Sequence, residues 1–197
     1  MHRLARWVPL LIVGVVAVVV AVAYFAQDDA MPEPIDVRSD ATRFENVEDL
    51  AAAADLIVEG AVVAVEDGRV ISGSTDSNTG IRTQLAQVEV QLIAETTGEV
   101  PPIVVVEQEA GLLDGTPITV DGVAPLEIGQ HVILLLVSGD SEEFPYTTPL
   151  SSQAVFYVAD EAGELVSAAD PTGVIGALYH DLPADDLRFA LGLREPG

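Results

Sequence analysis

From Val8 to Ala26 the chain reads "VPLLIVGVVAVVVAVAYFA", with no charged or strongly polar side chain. As a helix this run would span about 28 Å at roughly 1.5 Å per residue, close to the hydrocarbon thickness of a bilayer. A helix on the core of a soluble domain shows a polar face, and this run has none. Valine is a mediocre helix former in water, but lipid offers the backbone no other hydrogen-bond partner, so a helix is expected. Arg3 and Arg6 precede the run, and Asp28, Asp29 and Glu33 follow it. The cationic side is expected to stay in the cytoplasm, which places the chain after Gln27 outside. The alternative is a cleaved signal peptide, for which "AVA" at Ala21–Ala23 would serve as the site. The apolar run continues through Tyr24 and Phe25, where the interfacial aromatics of a spanning helix belong. A cytoplasmic tip at 1–7 and a retained signal anchor at 8–26 are expected.

Periodicity then changes. Residues 27–45 carry Pro32, Pro34 and four Asp and read as an acidic, extended tether. Asn46 offers an N-cap, with Asp49 three residues on, and a short helix is expected over about Val47 to Ala54. "LIVEGAVVAVE" is Val-rich without helical spacing and predicts a strand from Leu56 to Glu66, ended by the turn pair Asp67-Gly68. Residues 67–80 read as a polar, Gly-rich loop. In "TQLAQVEVQLIAE", Ala86, Val88, Val90 and Leu92 alternate with Gln87, Glu89 and Gln91, the signature of a half-buried strand. "IVVVEQE" is a further strand, and "GLLDGTPITVDGVAPLEIG" reads as turns with one short strand. "QHVILLLVSG" is the most apolar strand and should be central. "AVFYVADEAGELVSA" predicts a hairpin folded at Asp160 to Gly163. "LPADDLRFALGL" places Leu187, Ala190 and Leu191 at helical spacing behind Pro183. The expected fold class is mainly β, with five to seven strands in an antiparallel OB-like barrel or sandwich. It has a short helix at each end of the 46–197 domain and one transmembrane helix before it.

Charge narrows the partners. The chain holds 8 Lys plus Arg against 32 Asp plus Glu, for a net charge of −24. Every acid follows residue 27, and no residue is Lys. Codon bias would exchange Lys for Arg but would not remove the Arg as well. The acid excess therefore fits an exported protein kept soluble by negative charge, or a high-salt habitat. Nucleic acid is excluded as a partner because its phosphates would be repelled. There is no cysteine, so the outer domain has no disulfide and must be held by its core. About 150 residues suffice, burying roughly two-thirds of their unfolded surface.

The stretches "ADLIVEGAVVAV", "AQVEVQLIAETTGEVPPIVVVEQEAG" and "PLEIGQHVILLLVSG" together resemble the netrin-like module of the tissue inhibitors of metalloproteases, and exported bacterial proteins of similar pattern. The resemblance covers about residues 50–140 and lies in the order of strands and turns. It implies an OB-type barrel. Those inhibitors chelate the protease zinc through an N-terminal cysteine, and this chain has none, so the inhibitory chemistry does not carry over.

Catalytic motifs are not evident. His2, His131 and His180 show no metal-ligand spacing, and no Ser sits in a G-x-S-x-G elbow. His131 reads as a strand residue and His180, beside Asp181, as a helix-entry contact. The acidic pairs Glu142-Glu143 and Asp185-Asp186 read as solvated surface. No cofactor, metal site or catalytic residue is expected. The candidate binding residues are Arg69, Asp76 and Asn78 in the polar loop, with Arg82 just beyond it. The expected function is a membrane-anchored, extracytoplasmic, non-catalytic binding or structural module, its partners being the membrane through the N-terminal helix and an unidentified outside protein or ligand. The alternative is an exported hydrolase using dispersed carboxylates, which would need two or more acids converging in a deep cleft.

Overall fold

The computed structural model describes residues 32–39, 42–72, 80–94, 100–139, 147–159, 165–170, 174–179 and 182–196. The apolar run at 8–26 lies outside them, as do Asp76, Asn78 and His180. Among the described residues no helix is long and apolar enough to cross a membrane. One compact unit begins at Pro34.

The unit is mainly β and is built on a closed five-stranded barrel. Its strands are β2 (Leu56–Ser72), β3 (Gly80–Ile93), β4 (Ile103–Leu112), β6 (His131–Ser138) and β7 (Thr147–Pro149). β2 pairs with both β3 and β6, β3 pairs with β4, and β7 joins β4 to β6 and closes the ring. Most neighbours are antiparallel, but β4 meets β7 in parallel, so the barrel is not purely antiparallel. β8 (Val155–Ala159) extends the sheet from β6, and β9 (Leu165–Ala168) and β10 (Leu182–Pro183) follow it. β6 has β2, β7 and β8 as neighbours, which is why "VILLL" is apolar on both faces: Val132 to Leu136 are all fully buried.

Those two faces serve two cores. Inside the barrel, Val58, Val62, Ala86, Val88, Val104, Val106, Val132, Leu134 and Leu136 pack together. Outside it, Ile57, Ile133, Leu135, Phe156 and Val158 meet the helices α1 (Val47–Ala53), α2 (Val174–Leu178) and α3 (Ala184–Leu191). α1 begins where Asn46 takes the extended conformation and its side chain accepts from Asp49 N at 2.7 Å, as its spacing predicts. Val47 and Leu50 turn onto the outer core. α3 ends at Gly192, whose φ of 66° lets its N–H reach back to the last turn.

The first long strand does not stop at Asp67-Gly68. β2 runs on to Ser72, so Arg69 lies in a strand rather than in a loop, and Arg82 lies in β3. Val70 and Ile71 pair with Arg82 and Ile81, and the register slips between Asp67 and Val70. Gly68 is therefore part of an irregularity and not of a turn. A Cβ there would strike the Thr83 hydroxyl. A second slip, between Glu59 and Gly60, helps one strand coil between two partners. A Cβ on Gly60 would collide with the Glu89 carbonyl oxygen, a backbone atom that cannot swing aside. Gly60→Ala should therefore cost about 1–3 kcal/mol, read from urea melts. A loss under half a kcal/mol would show that the two strands separate without resistance.

Part of the stretch read as a tether is folded. β1 (Ile35–Val37) pairs in parallel with β5 (Ile118–Val120). Asp36 fixes this ribbon: its Oδ1 accepts from Thr119 Oγ1 at 2.9 Å and from Gly122 N at 2.6 Å. Farther on, the buried Gln153 side chain bonds the backbone of Phe44 on both sides, Phe44 N to Oε1 at 2.7 Å and Nε2 to Phe44 O at 3.1 Å. The predicted hairpin exists as the antiparallel pair β8–β9, its turn lying outside the described residues.

Candidate functional site

The barrel interior is filled by side chains, but one end of it is not closed tightly. There β5 and the loop after it lie across the mouth, held by two glutamines that face inward where the apolar alternation of β3 and β4 ends. Gln84 Nε2 donates to Leu126 O at 2.7 Å, and Gln108 Oε1 accepts from Leu126 N at 3.0 Å. Gln84 and Gln108 are direct cross-strand partners. The loop turns through Asp121 and Gly122 at φ values of 51° and 80°, and Asp121 Oδ1 accepts from Ser39 N at 3.2 Å. The result is a cavity of about 430 Å³ between the barrel end, the β1–β5 ribbon and the chain following β7.

Its walls are largely aliphatic: Val37, Ile81, Val120, Val123, Pro125, Pro149, Leu150 and Val155. No aromatic ring is among the described lining residues, so the walls offer no stacking platform for a sugar ring or a base. Polar groups come from Arg38, Glu107, Gln108, Glu109, Ser151 and Ser152. The cavity thus combines an apolar wall with a few polar groups.

The two carboxylates differ sharply. Glu107 is buried and fully engaged. Arg69 grips it with two bonds, Nε to Oε1 at 2.9 Å and Nη2 to Oε2 at 3.0 Å, and Thr83 Oγ1 donates to Oε1 at 2.8 Å. Such a fork fixes both oxygens in place. Glu109, two residues along the same strand, is half-buried and has no hydrogen bond or ion pair among the described residues. Arg38 sits near Asp36, whose carboxyl is held below the usual range by the Gly122 N–H first, then by the Thr119 hydroxyl, with a smaller contribution from Arg38. Ser151, 8 % exposed, stands in the wall with a hydroxyl that has no hydrogen-bond partner among the described residues.

A second ionic cluster lies on the outer face of the barrel. Glu59, 1 % exposed, accepts from Arg188 Nε at 2.8 Å and Nη2 at 2.6 Å, and Arg188 Nη1 reaches Asp185 Oδ1 at 3.0 Å. His131 Nε2 lies 3.1 Å from Glu59 Oε1 without meeting hydrogen-bond geometry. Burial acts to raise the Glu59 pKa, but the Arg188 and His131 contacts outweigh it and the carboxyl is held below its ordinary value. This cluster clamps α3 to β2.

Of the candidate binding residues, Arg69 reaches the cavity wall through Glu107, whereas Arg82 points its Nε at Leu112 O, 3.1 Å away, and is exposed. Asp76 and Asn78 lie outside the described residues. Among the described residues no group of three or more His, Cys, Asp or Glu is placed to hold a metal ion. Sequence reasoning passed over Glu107, Glu109 and Ser151. The available signal was Gln84 and Gln108, polar residues on the inward phase of two otherwise apolar strands. No family model matches the chain, and no curated protein or solved structure does.

Proposed function

We propose that this protein is a membrane-anchored, extracytoplasmic, non-catalytic binding module of OB type, which receives a small ligand at the open end of its barrel. The single observation that carries the reading is the cavity: it has the size and lining of a ligand site, and its most buried acid is already committed to Arg69 and Thr83. A carboxylate hydrolase needs two acids free to exchange protons or attack. Of the two acids lining the cavity, only Glu109 has no hydrogen bond or ion pair among the described residues. The OB reading is supported by five strands closing a barrel and by the pairing of the first long strand with both β3 and β6. The netrin-like resemblance is supported by strand order alone. The anchor rests on the apolar run at 8–26 and its flanking charges.

The test has two arms. Protease added to intact host cells should remove a C-terminal tag while the protein stays in the membrane fraction. The purified full chain, dialysed against host metabolite extract, should retain a compound that mass spectrometry recovers unchanged. A tag protected until the membrane is opened would defeat the placement outside. Steady conversion of the retained compound, abolished by Glu109→Gln, would replace the binding module with the hydrolase.

A further inference from the structure

The cavity at the barrel end has little polar chemistry left to offer a ligand. Glu107 is held by the Arg69 fork and the Thr83 hydroxyl, and the Gln108 side chain accepts from Leu126 N. Ser39 N donates to Asp121, and the Ser151 hydroxyl oxygen is closed off from solvent. Arg38, Glu109 and Ser152 remain, none of them buried, and the two charges are opposite in sign, so the lining selects neither an anion nor a cation. What the lining does offer is aliphatic surface from Val37, Ile81, Val120, Val123 and Leu150. Covering such surface with hydrocarbon is favourable and sets no preferred direction. A sugar or a nucleoside would bring polar groups that find few partners here, which is costly once they leave water. The volume, about 430 Å³, is that of a ligand pocket and far exceeds the space of a single water.

We infer that the cavity receives the saturated hydrocarbon chain of an amphiphile and leaves its polar head in solvent. The head carries no net negative charge, because a chain at −24 repels anions. This rests on the cavity being the ligand site proposed above. A membrane lipid and a free single-chain amphiphile share this chemistry.

The full chain is held in a fluorinated surfactant, whose tails mix poorly with hydrocarbon and do not compete. The probes are the straight-chain alcohols from butanol to octanol, with glycerol and sorbitol as comparisons, and binding is read by equilibrium dialysis against surfactant alone. Affinity should grow about fourfold per added methylene until the cavity is full. Ala124 and Ser152 line the cavity from two separate stretches. Ala124→Phe and Ser152→Phe, each first shown to melt as the parent does, should weaken octanol binding at least tenfold. Ile128→Ser removes an exposed apolar side chain from the loop that carries Ala124, outside the cavity lining, and should bind octanol as the parent does. Polyols that bind the parent more tightly than octanol, and are lost in the phenylalanine variants, would overturn the hydrocarbon assignment and leave the cavity standing as a ligand site. Alcohols and polyols that bind the parent no better than the two phenylalanine variants would remove both. Mass spectrometry of an organic extract of the protein, taken from its host membrane in the same surfactant, separates the sources: a two-chain lipid names the bilayer, and a single-chain compound names a free amphiphile.

Discussion

Arg188→Ala should lower stability by about 3–5 kcal/mol, the usual penalty for stranding one member of a buried ion pair. Glu59 is 1 % exposed, and the guanidinium supplies both of its charged hydrogen bonds. The double variant Glu59→Met with Arg188→Leu should recover most of the loss, since a packed apolar pair is often as stable as the ionic one. The pH dependence gives a sharper test. In the parent the Glu59 carboxyl is held below its ordinary value of 4.5. Its stabilisation is thus present above that value and is lost as pH falls through the lower folded value. In Arg188→Ala the same carboxyl is buried without its cation, so burial raises its pKa and protonation relieves it. The gap between parent and variant should therefore be widest near pH 7 and narrow on acidification. Urea melts at pH 7 and pH 5 measure this. A gap that widens toward pH 5 would mean that Glu59 is not the group responding.

The same cluster shows how far the sequence can be read. α3 was visible from Leu187, Ala190 and Leu191 at helical spacing, but nothing in "DDLRFAL" says that Arg188 reaches Glu59, far back along the chain. Alternation and apolar runs report which face of a strand is wet. They do not report which strands meet. β1, β7 and β10 went unread because a strand of two or three residues carries no period. α2, at five residues, is too short for helical spacing. Asp67-Gly68 misled for a different reason. The pair is a turn signal in a free hairpin, but here a partner strand on one side keeps the chain extended, and the glycine absorbs a slip in register. The cavity was invisible because its walls come from five separated stretches, and its one unengaged acid looks like any of the 32 in the chain.

Val88→Asp should abolish the fold or leave it barely stable at pH 7. Val88 is fully buried inside the barrel, against Val62 and Val104, its partners on the two neighbouring strands. The alternation read from "QLAQVEVQLI" put Val88, Val90 and Leu92 on the core side. The structure refines this: Ala86 and Val88 are fully enclosed, while Val90 and Leu92 are half-buried where the strand leaves the barrel. Val88, not Val90, is therefore the position of greatest effect. A carboxylate there has no cation and no donor, so it must stay protonated or unfold the chain. Burial raises such a group by up to 3–5 pKa units, and each unit is worth about 1.36 kcal/mol at neutral pH. At pH 7 the group can protonate instead, so the linked loss is capped at the roughly 3 units between pH 7 and the ordinary aspartate value, about 4 kcal/mol, close to the whole stability of a marginal domain. Because the folded pKa is raised, the loss is greatest above it and shrinks as pH falls toward the ordinary aspartate value. Glu89→Ala is the matched control. Its side chain is exposed on the next residue of the same strand, and the change should stay within about half a kcal/mol. Circular dichroism melts of the three proteins at pH 7 and pH 5 decide the matter. If the two variants melt together, β3 does not hold the register that places Val88 inside the barrel.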